Sequence, residues 1–240
     1  VRVRGDGLLE GLLSLLYPPA CTACGANLKA GLGQALLCPE CTATLVPLEA
    51  ESCPRCSSPL REDQPCAFCA RLEPEMDTLC SAFWFGGPVP KLIHAFKYRG
   101  RVSLAAGMAE LTLSHPLCSA VLEKAELLVP VPLHLWRRLR RGYNQSERYA
   151  ASLAALSDKR VESRLLRRVR RTRSQTRLNP AQRKLNVEGA FKVRDRTLVE
   201  GRSVCIIDDV MTTGATAGAC AAALKDAGAV WVAALTFARA

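Results

Sequence analysis

Two patterns in this 240-residue chain have the residue types and spacing to do chemistry. The first is "VCIIDDVMTTGAT", residues 204–216, where adjacent carboxylates, Asp208 and Asp209, close an apolar run and precede Thr212, Thr213, Gly214, Ala215 and Thr216. Carboxylates at the carboxyl end of a strand can accept hydrogen bonds from sugar hydroxyls, while the free N–H groups opening the next helix suit a phosphate. One short element thus offers acceptors beside donors. The plain alternative is a strand-to-helix turn in which Asp and Thr act as turn formers and caps.

The second pattern is cysteine. Eight of the twelve fall in four C-x-x-C pairs within the first 70 residues: Cys21/Cys24, Cys38/Cys41, Cys53/Cys56 and Cys66/Cys69. Each pair sets two thiolates within reach of one tetrahedral ion, and two pairs complete its shell, so two zinc ions use all eight. Sequential ribbons need only short connections; crossed pairing stays open. A disulfide framework is disfavoured without a secretion signal, redox chemistry explains one such pair but not four, and iron–sulfur spacing is missing. Four thiolates leave no open coordination position, so these zinc ions are structural, and with little apolar material between the cysteines the metal must supply most of the local folding free energy. Cys80, Cys118, Cys205 and Cys220 lie in apolar surroundings and read as core.

These groups need elements to position them. The β-branched run 204–207 reads as a buried strand with the two acids at its C-terminal edge, followed by a helix over "AGACAAALKDAG" closed by Gly228. From about residue 76 onward "LCSAFWF", "ELLVPVPL" and "AVWVAALTFA" read as further strands, with "VPKLIHAFKY", "LAAGMAELTLS" and "NQSERYAASLAALS" as helices between them. Strand and helix in alternation predict an α/β domain with a doubly wound parallel sheet over 77–240. Residues 1–76 form a small unit of their own, an amphipathic leucine-rich helix followed by the cysteine ribbons. Glu10 interrupts those leucines and Pro18 and Pro19 follow them, unlike a signal peptide. No apolar run is long enough to cross a bilayer, and the expected location is cytoplasmic.

Charge is uneven. The net formal charge is +11, residues 1–75 being net acidic while 137–196 hold nineteen Lys and Arg against five Asp and Glu. Arginine dominates this window, and its planar fork suits phosphate. Three readings compete: a solvated face, binding of a pyrophosphate-bearing ligand, and a nucleic-acid track through Arg137, Arg138, Arg140, Arg167, Arg168 and Arg170. The number of arginines exceeds what one small ligand can touch. Trp136, Tyr143, Tyr149 and Phe191 are the candidates for base stacking, with packing as the commoner role of such residues.

The order and lengths of residues 204–216 resemble the phosphoribosyl-pyrophosphate (PRPP) motif of type I phosphoribosyltransferases, with Ala215 where many members have a second Gly. Five ordered blocks, "HAFKYRG", "VPVPLH", "RRGYNQSERYA", "RRTRSQTRLNPAQRKLNVEGAF" and "IIDDVMTTGAT", together with the ribbons and the leading helix, resemble the ComF/GntX family of phosphoribosyltransferase-like proteins. That resemblance covers nearly the whole chain. It implies a type I phosphoribosyltransferase fold behind a double zinc ribbon, with Asp208 and Asp209 on the ribose hydroxyls and 212–216 around the 5-phosphate. It also implies Arg141, Gly142, Tyr143, Asn144 and Gln145 near the pyrophosphate, Lys97 and Arg99 close to the same pocket, and a mobile loop carrying Arg171, Thr172 and Gln175. Capping of a helix is the equal alternative for Asn144 and Gln145. His94 and His134 read as packing or capping residues.

The resemblance further implies Mg²⁺ with PRPP, a role in DNA uptake, natural competence or use of DNA as nutrient, and contact with single-stranded DNA and a competence helicase. Two readings of different class follow. One is a phosphoribosyltransferase with Asp208 and Asp209 in the catalytic site; the other is an inactive PRPP- or phosphate-binding adaptor linking DNA to the helicase. No residue stands out in the sequence as a reader of the acceptor base.

Overall fold

The computed structural model describes residues 20–28, 36–48, 53–60, 65–71, 73–133, 139, 141–170 and 180–240. The expected leucine-rich helix, Trp136, Arg137, Arg138, Arg140, His134, Arg171, Thr172 and Gln175 fall outside these residues. In chain order the elements are α1 (Pro39–Ala43), β1 (Thr78–Trp84), α2 (Val89–Tyr98), α3 (Leu104–Leu113), α4 (Pro116–Lys124), β2 (Leu127–Pro130) and α5 (Gln145–Ser157). There follow β3 (Arg160–Val161), β4 (Leu166–Arg168), α6 (Pro180–Val187), β5 (Phe191–Val193), β6 (Ser203–Met211), α7 (Ala215–Asp226) and β7 (Trp231–Arg239).

Five strands form one parallel sheet in the order β1-β7-β6-β2-β3, as the alternation of strand and helix predicts. The central pair, β6 and β7, reads as a nearly continuous apolar run because both faces are covered. Cys205, Ile207, Leu235 and Phe237 pack on the face that carries α2 to α5, with Phe96, Met108 and Tyr149. Val204, Ile206, Val232 and Ala234 pack on the other, with Ala221 and Leu224 of α7. Buried hydroxyls are paired on both faces: the Tyr149 hydroxyl lies 2.6 Å from the Thr112 hydroxyl in the first core, and Ser81 lies 2.6 Å from Thr236 across β1 and β7 on the other face. Cys80, Cys118, Cys205 and Cys220 are all buried in these cores, in line with their apolar surroundings in the sequence.

The structure lengthens some expected elements and adds others. β6 runs on through the acidic pair to Met211, held by β7 along its whole length. α7 starts at Ala215, earlier than its alanine-rich stretch suggests, and ends before Gly228, whose φ of +97° closes it. The expected strand "ELLVPVPL" shortens to four residues. The Leu128 carbonyl accepts from the Glu162 amide of the β3 side, so Pro130 and Pro132, on the same side and without N–H groups, cannot extend that pairing, and β3 stops at two residues. A separate two-stranded antiparallel sheet, β4 with β5, forms within the arginine-rich window across the intervening α6, where charge hides a three-residue strand from a hydrophobic pattern.

The cysteine ribbons sit on opposite faces of the sheet. Cys21, Leu28, Leu36, Leu37 and Cys38 join the core under α2 to α5, whereas Cys53 and Cys56 join the core under α7. Between them residues 46–48 run along the free edge of β1, with Trp84 N–H donating to the Val46 carbonyl at 2.8 Å and Leu48 N–H to the Ala82 carbonyl at 3.0 Å. The His115 ring also bonds the Leu48 carbonyl at 2.6 Å. This strap covers an edge that would otherwise offer unpaired backbone to another chain.

Behind the second ribbon Glu73 packs against α7 at Gly218, where an added Cβ would meet Glu73 Cγ at 2.5 Å and Cβ at 3.2 Å. Gly218→Ala is therefore expected to lower stability by about 1–3 kcal/mol through overpacking, read as a lower urea midpoint with an unchanged denaturant slope.

Candidate functional site

The site begins where the sheet divides. The ladder between β2 and β6 reaches Val131, whose amide donates to the Ile207 carbonyl at 3.0 Å. In a parallel ladder the next bond would run from the Asp209 amide to the Val131 carbonyl. Instead the Val131 carbonyl accepts from Asn144 Nδ2 at 3.1 Å, and the Asp209 amide donates to Asp208 Oδ1 at 2.9 Å. From there β6 continues on β7 alone, so its acids stand at the carboxyl end of the sheet beside an opening of about 500 Å³.

The acids do not share one setting. Asp209 is 2% exposed and pairs with Lys97 of α2, Nζ to Oδ2, at 2.8 Å. Asp208 is half-buried and accepts from the Ser146 hydroxyl of α5 at 2.8 Å. Burial, helped by the neighbouring Asp209 charge, pushes Asp208 up to about 7, against the pull of Lys97, the Ser146 hydroxyl and the Asp209 amide. Burial alone would lower Lys97, but the Asp209 and Asp208 charges outweigh it and hold the ammonium above its usual range. A carboxyl poised near neutrality beside a lysine can bind a hydroxyl, a cation or a proton.

The opposite wall is the start of α7. Gly214 takes φ +78° as N-cap, a left-handed conformation that suits glycine, and no side chain caps the helix. Gly214, Ala215 and Thr216 line the opening with Thr212. Ala215 lies in the helix proper, so its methyl is accommodated where the PRPP motif often has glycine. Thr213 does not line the opening; its hydroxyl accepts weakly from the Ala215 amide at 3.4 Å. The result is an N-terminus suited to an anion across from two acids.

Arg141 lines the same opening, with its guanidinium 5.0 Å from the Tyr98 ring centroid and donating to Gln145 Oε1. Arg99 is exposed and not part of the wall. Asn144 is 2% exposed and does not line the opening: its carbonyl oxygen accepts from the Ser146 amide at 3.1 Å while its NH₂ holds Val131. The capping alternative for Asn144 is the one the structure realises, because both ends of the amide are taken up by backbone.

Side chains that the sequence left unassigned also reach the wall. Ser146, Phe85 and Tyr98 contribute, as does His94, an exposed residue packed against Tyr98 at 5.1 Å and expected only to pack or cap. The helix period would have placed His94, Lys97 and Tyr98 on one face of α2. Arg168, counted with the nucleic-acid residues, turns into the cavity and lies over Phe191 at 5.3 Å. Its neighbour Arg167 is exposed, as alternation along β4 requires. Arg170 instead donates to the Leu185, Asn186 and Glu188 carbonyls at the end of α6. These three arginines therefore sit in three different surroundings. Tyr143, Tyr149 and Phe191 are core residues, at most 9% exposed, and offer no ring for base stacking.

The cysteines assemble in sequence order. Sγ atoms of Cys21, Cys24, Cys38 and Cys41 lie within 4.8 Å of one another, as do those of Cys53, Cys56, Cys66 and Cys69. Distances of 3.7 Å for Cys24–Cys38 and 3.5 Å for Cys53–Cys69 and Cys56–Cys66 fit the edge of about 3.8 Å that a zinc tetrathiolate requires. Within each cluster the thiols split: against burial, backbone amides bring Cys21 and Cys66 down to about 6, while Cys38, Cys41, Cys56 and Cys69 are pushed up, the pattern of close-set thiols competing for charge without a cation between them. Both centres are four-cysteine structural zinc sites with closed shells.

The Asp208 shift predicts a pH signature. A carboxyl raised in the folded state costs stability as pH climbs from its unfolded value near 4 through about 7. Asp208→Asn should remove that loss and stabilise the ligand-free protein by about 1–2 kcal/mol at pH 8, the benefit shrinking towards pH 5.5. Urea unfolding of both proteins across that range measures it.

Residues 12–70 match a family model described as a double zinc ribbon domain. Over 222 residues, 91% of this chain and 96% of the relative, the sequence is 32% identical to DNA utilization protein YhgH of Salmonella typhimurium. It is 30% identical over 169 residues to competence protein F of Haemophilus influenzae, covering 68% of this chain and 74% of that protein. Against competence protein ComFC of Bacillus subtilis the identity is 26% over 186 residues, 75% of this chain and 74% of the relative. With two four-cysteine centres ahead of a parallel sheet that divides at an acidic pair, similarity of this extent makes the chain a member of the ComF/GntX family.

Proposed function

We propose that the chain binds PRPP with Mg²⁺ in the divided sheet and serves DNA utilization or competence in the cytoplasm, contacting single-stranded DNA. The observation that carries this reading is the meeting of Asp208 and Asp209 with the uncapped start of α7 across one opening. Asp208 and Asp209 would orient the ribose hydroxyls, and Gly214, Ala215 and Thr216 would receive the 5-phosphate. Lys97, Arg141 and Arg168 supply positive charge on the side where pyrophosphate would lie. Asp208, at the mouth of the opening, would help hold Mg²⁺, which would supply neutralisation of the ligand's negative charge. The protein's own share of such a transfer is positioning and electrostatic stabilisation as charge develops at the anomeric carbon.

Within the opening His94 and the near-neutral Asp208 could take a proton from an acceptor, which favours turnover. A different observation favours an adaptor without turnover: the relatives are named for DNA utilization and competence, and the DNA-linked partner would then be a competence helicase. No helix among the described residues is long and apolar enough to cross a membrane.

Calorimetry with PRPP and Mg²⁺ is expected to give saturable 1:1 binding, lost when Asp208 and Asp209 are both changed to Ala. Pyrophosphate release with added bases separates enzyme from adaptor, and binding without release at any base supports the adaptor. Absence of PRPP binding to zinc-loaded protein overturns the reading. For single-stranded DNA, Arg→Ala changes at 137, 138 and 167 should weaken affinity and lower the salt slope by about 0.7 per lost phosphate contact.

A further inference from the structure

Arg239, the last residue of β7, is 3% exposed. Its guanidinium donates to the Cys56 carbonyl at 2.6 Å and to the Ser58 hydroxyl at 2.5 Å. It also lies over the Phe68 ring, 3.7 Å from the centroid, with the Trp84 ring at 5.8 Å. Each of these partners is neutral. A guanidinium keeps its proton in proteins, and burial of a charge without a counter-charge is unfavourable. Two of the partners belong to the second cysteine centre: Cys56 is one of its ligands, and Phe68 sits between the ligands Cys66 and Cys69. Four thiolates around a divalent zinc leave a net negative charge, which supplies what the contacts alone do not.

The backbone of the same residue reaches the ligand cavity. The Arg239 carbonyl accepts from the Phe85 amide at 2.6 Å, Arg239 is in register with Met211, and the Ala240 amide donates to the Met211 carbonyl at 2.8 Å. Phe85, Met211 and Ala240 all line the opening. A second attachment lies on the same side, where Arg55, inside the ribbon, donates to the Met76 and Glu73 carbonyls, and Glu73 packs on Gly218 of α7.

We propose that Arg239 is the charge partner of the Cys53/Cys56/Cys66/Cys69 zinc centre and the positioning residue through which that centre fixes the cavity wall at Phe85, Met211 and Ala240. Zinc occupancy of this centre and order of that wall are then linked, in both directions. The claim does not depend on what the cavity binds. The first centre provides a contrast within the same molecule. There Lys91 donates to the Ala23 carbonyl at 2.7 Å and Arg101 to the Thr22 hydroxyl at 3.1 Å, but both contacts are exposed and screened by water.

The test uses the full chain loaded with two zinc ions and compares wild type with Arg239→Gln, Arg239→Lys, Phe68→Leu and Lys91→Gln. Zinc release into a chelating dye is followed together with hydrogen exchange of peptides spanning 79–88, 205–216 and 231–240. Arg239→Gln is expected to speed release of one ion by about tenfold or more, leave the other ion at the wild-type rate, and raise exchange in those three peptides. Lys91→Gln should change neither. Arg239→Lys keeps the charge and should fall between wild type and Gln, which a merely structural role for the side chain would not predict. If Arg239→Gln does not fold, Phe68→Leu, which removes only the stacking, should still speed release of one ion by about threefold. Wild-type release from Arg239→Gln, or from Phe68→Leu where Gln does not fold, overturns the proposal, as does equal acceleration of both ions or faster release without any change in the three peptides.

Discussion

The Val131 carbonyl takes its hydrogen bond from the Asn144 side chain and not from the Asp209 amide, and the cavity follows from that exchange. A continuous ladder would have zipped β2 to β6 past the acidic pair and closed the opening. Dividing the sheet costs little, because each group released finds another partner: Asn144 satisfies Val131 and caps α5, while Asp208 satisfies the amide of its neighbour. The division also brings Ser146, in the first turn of α5, onto Asp208. One buried asparagine thus sets the helix start, the end of the ladder and the surroundings of the first acid.

The second constraint is that the sheet cannot finish itself. Its β1 edge is covered by residues 46–48, which are held at both ends by cysteine centres, one on each face. Zinc orders segments too poor in apolar residues to fold alone, and those segments in turn cover both cores. The ribbons are therefore as much a part of the sheet's packing as its own helices. The second ribbon meets the sheet at Arg239, whose neighbours Phe85 and Met211 line the opening.

Spacing in the sequence made much of this legible. Four C-x-x-C pairs announced two four-cysteine centres, whose sequential pairing the structure chose over the crossed one, and strand and helix in turn announced the parallel sheet. The acidic pair and the turn after it stood out because strand, acids, hydroxyls and helix came in order. The arginine-rich window was legible only as a quantity of charge. Of the three arginines on and just after β4, Arg168 lines the cavity, Arg167 is in solvent and Arg170 binds the end of α6, and which goes where depends on the pairing of β4 with β5. A three-residue strand has too short a period to register against so many charges.

By itself the sequence determined the metal chemistry, the class of fold and the identity of the acidic pair, because each rests on local spacing that survives in any packing. Only the tertiary structure decided that Asn144 braces Val131 and caps α5, that Arg168 and His94 face the opening, and that Arg239 is buried on the Cys56 carbonyl and the Phe68 ring. Those roles depend on which backbone group a side chain meets from far along the chain. Hydrogen bonding and burial between distant segments are set when the layers pack, and no periodicity within one segment records them.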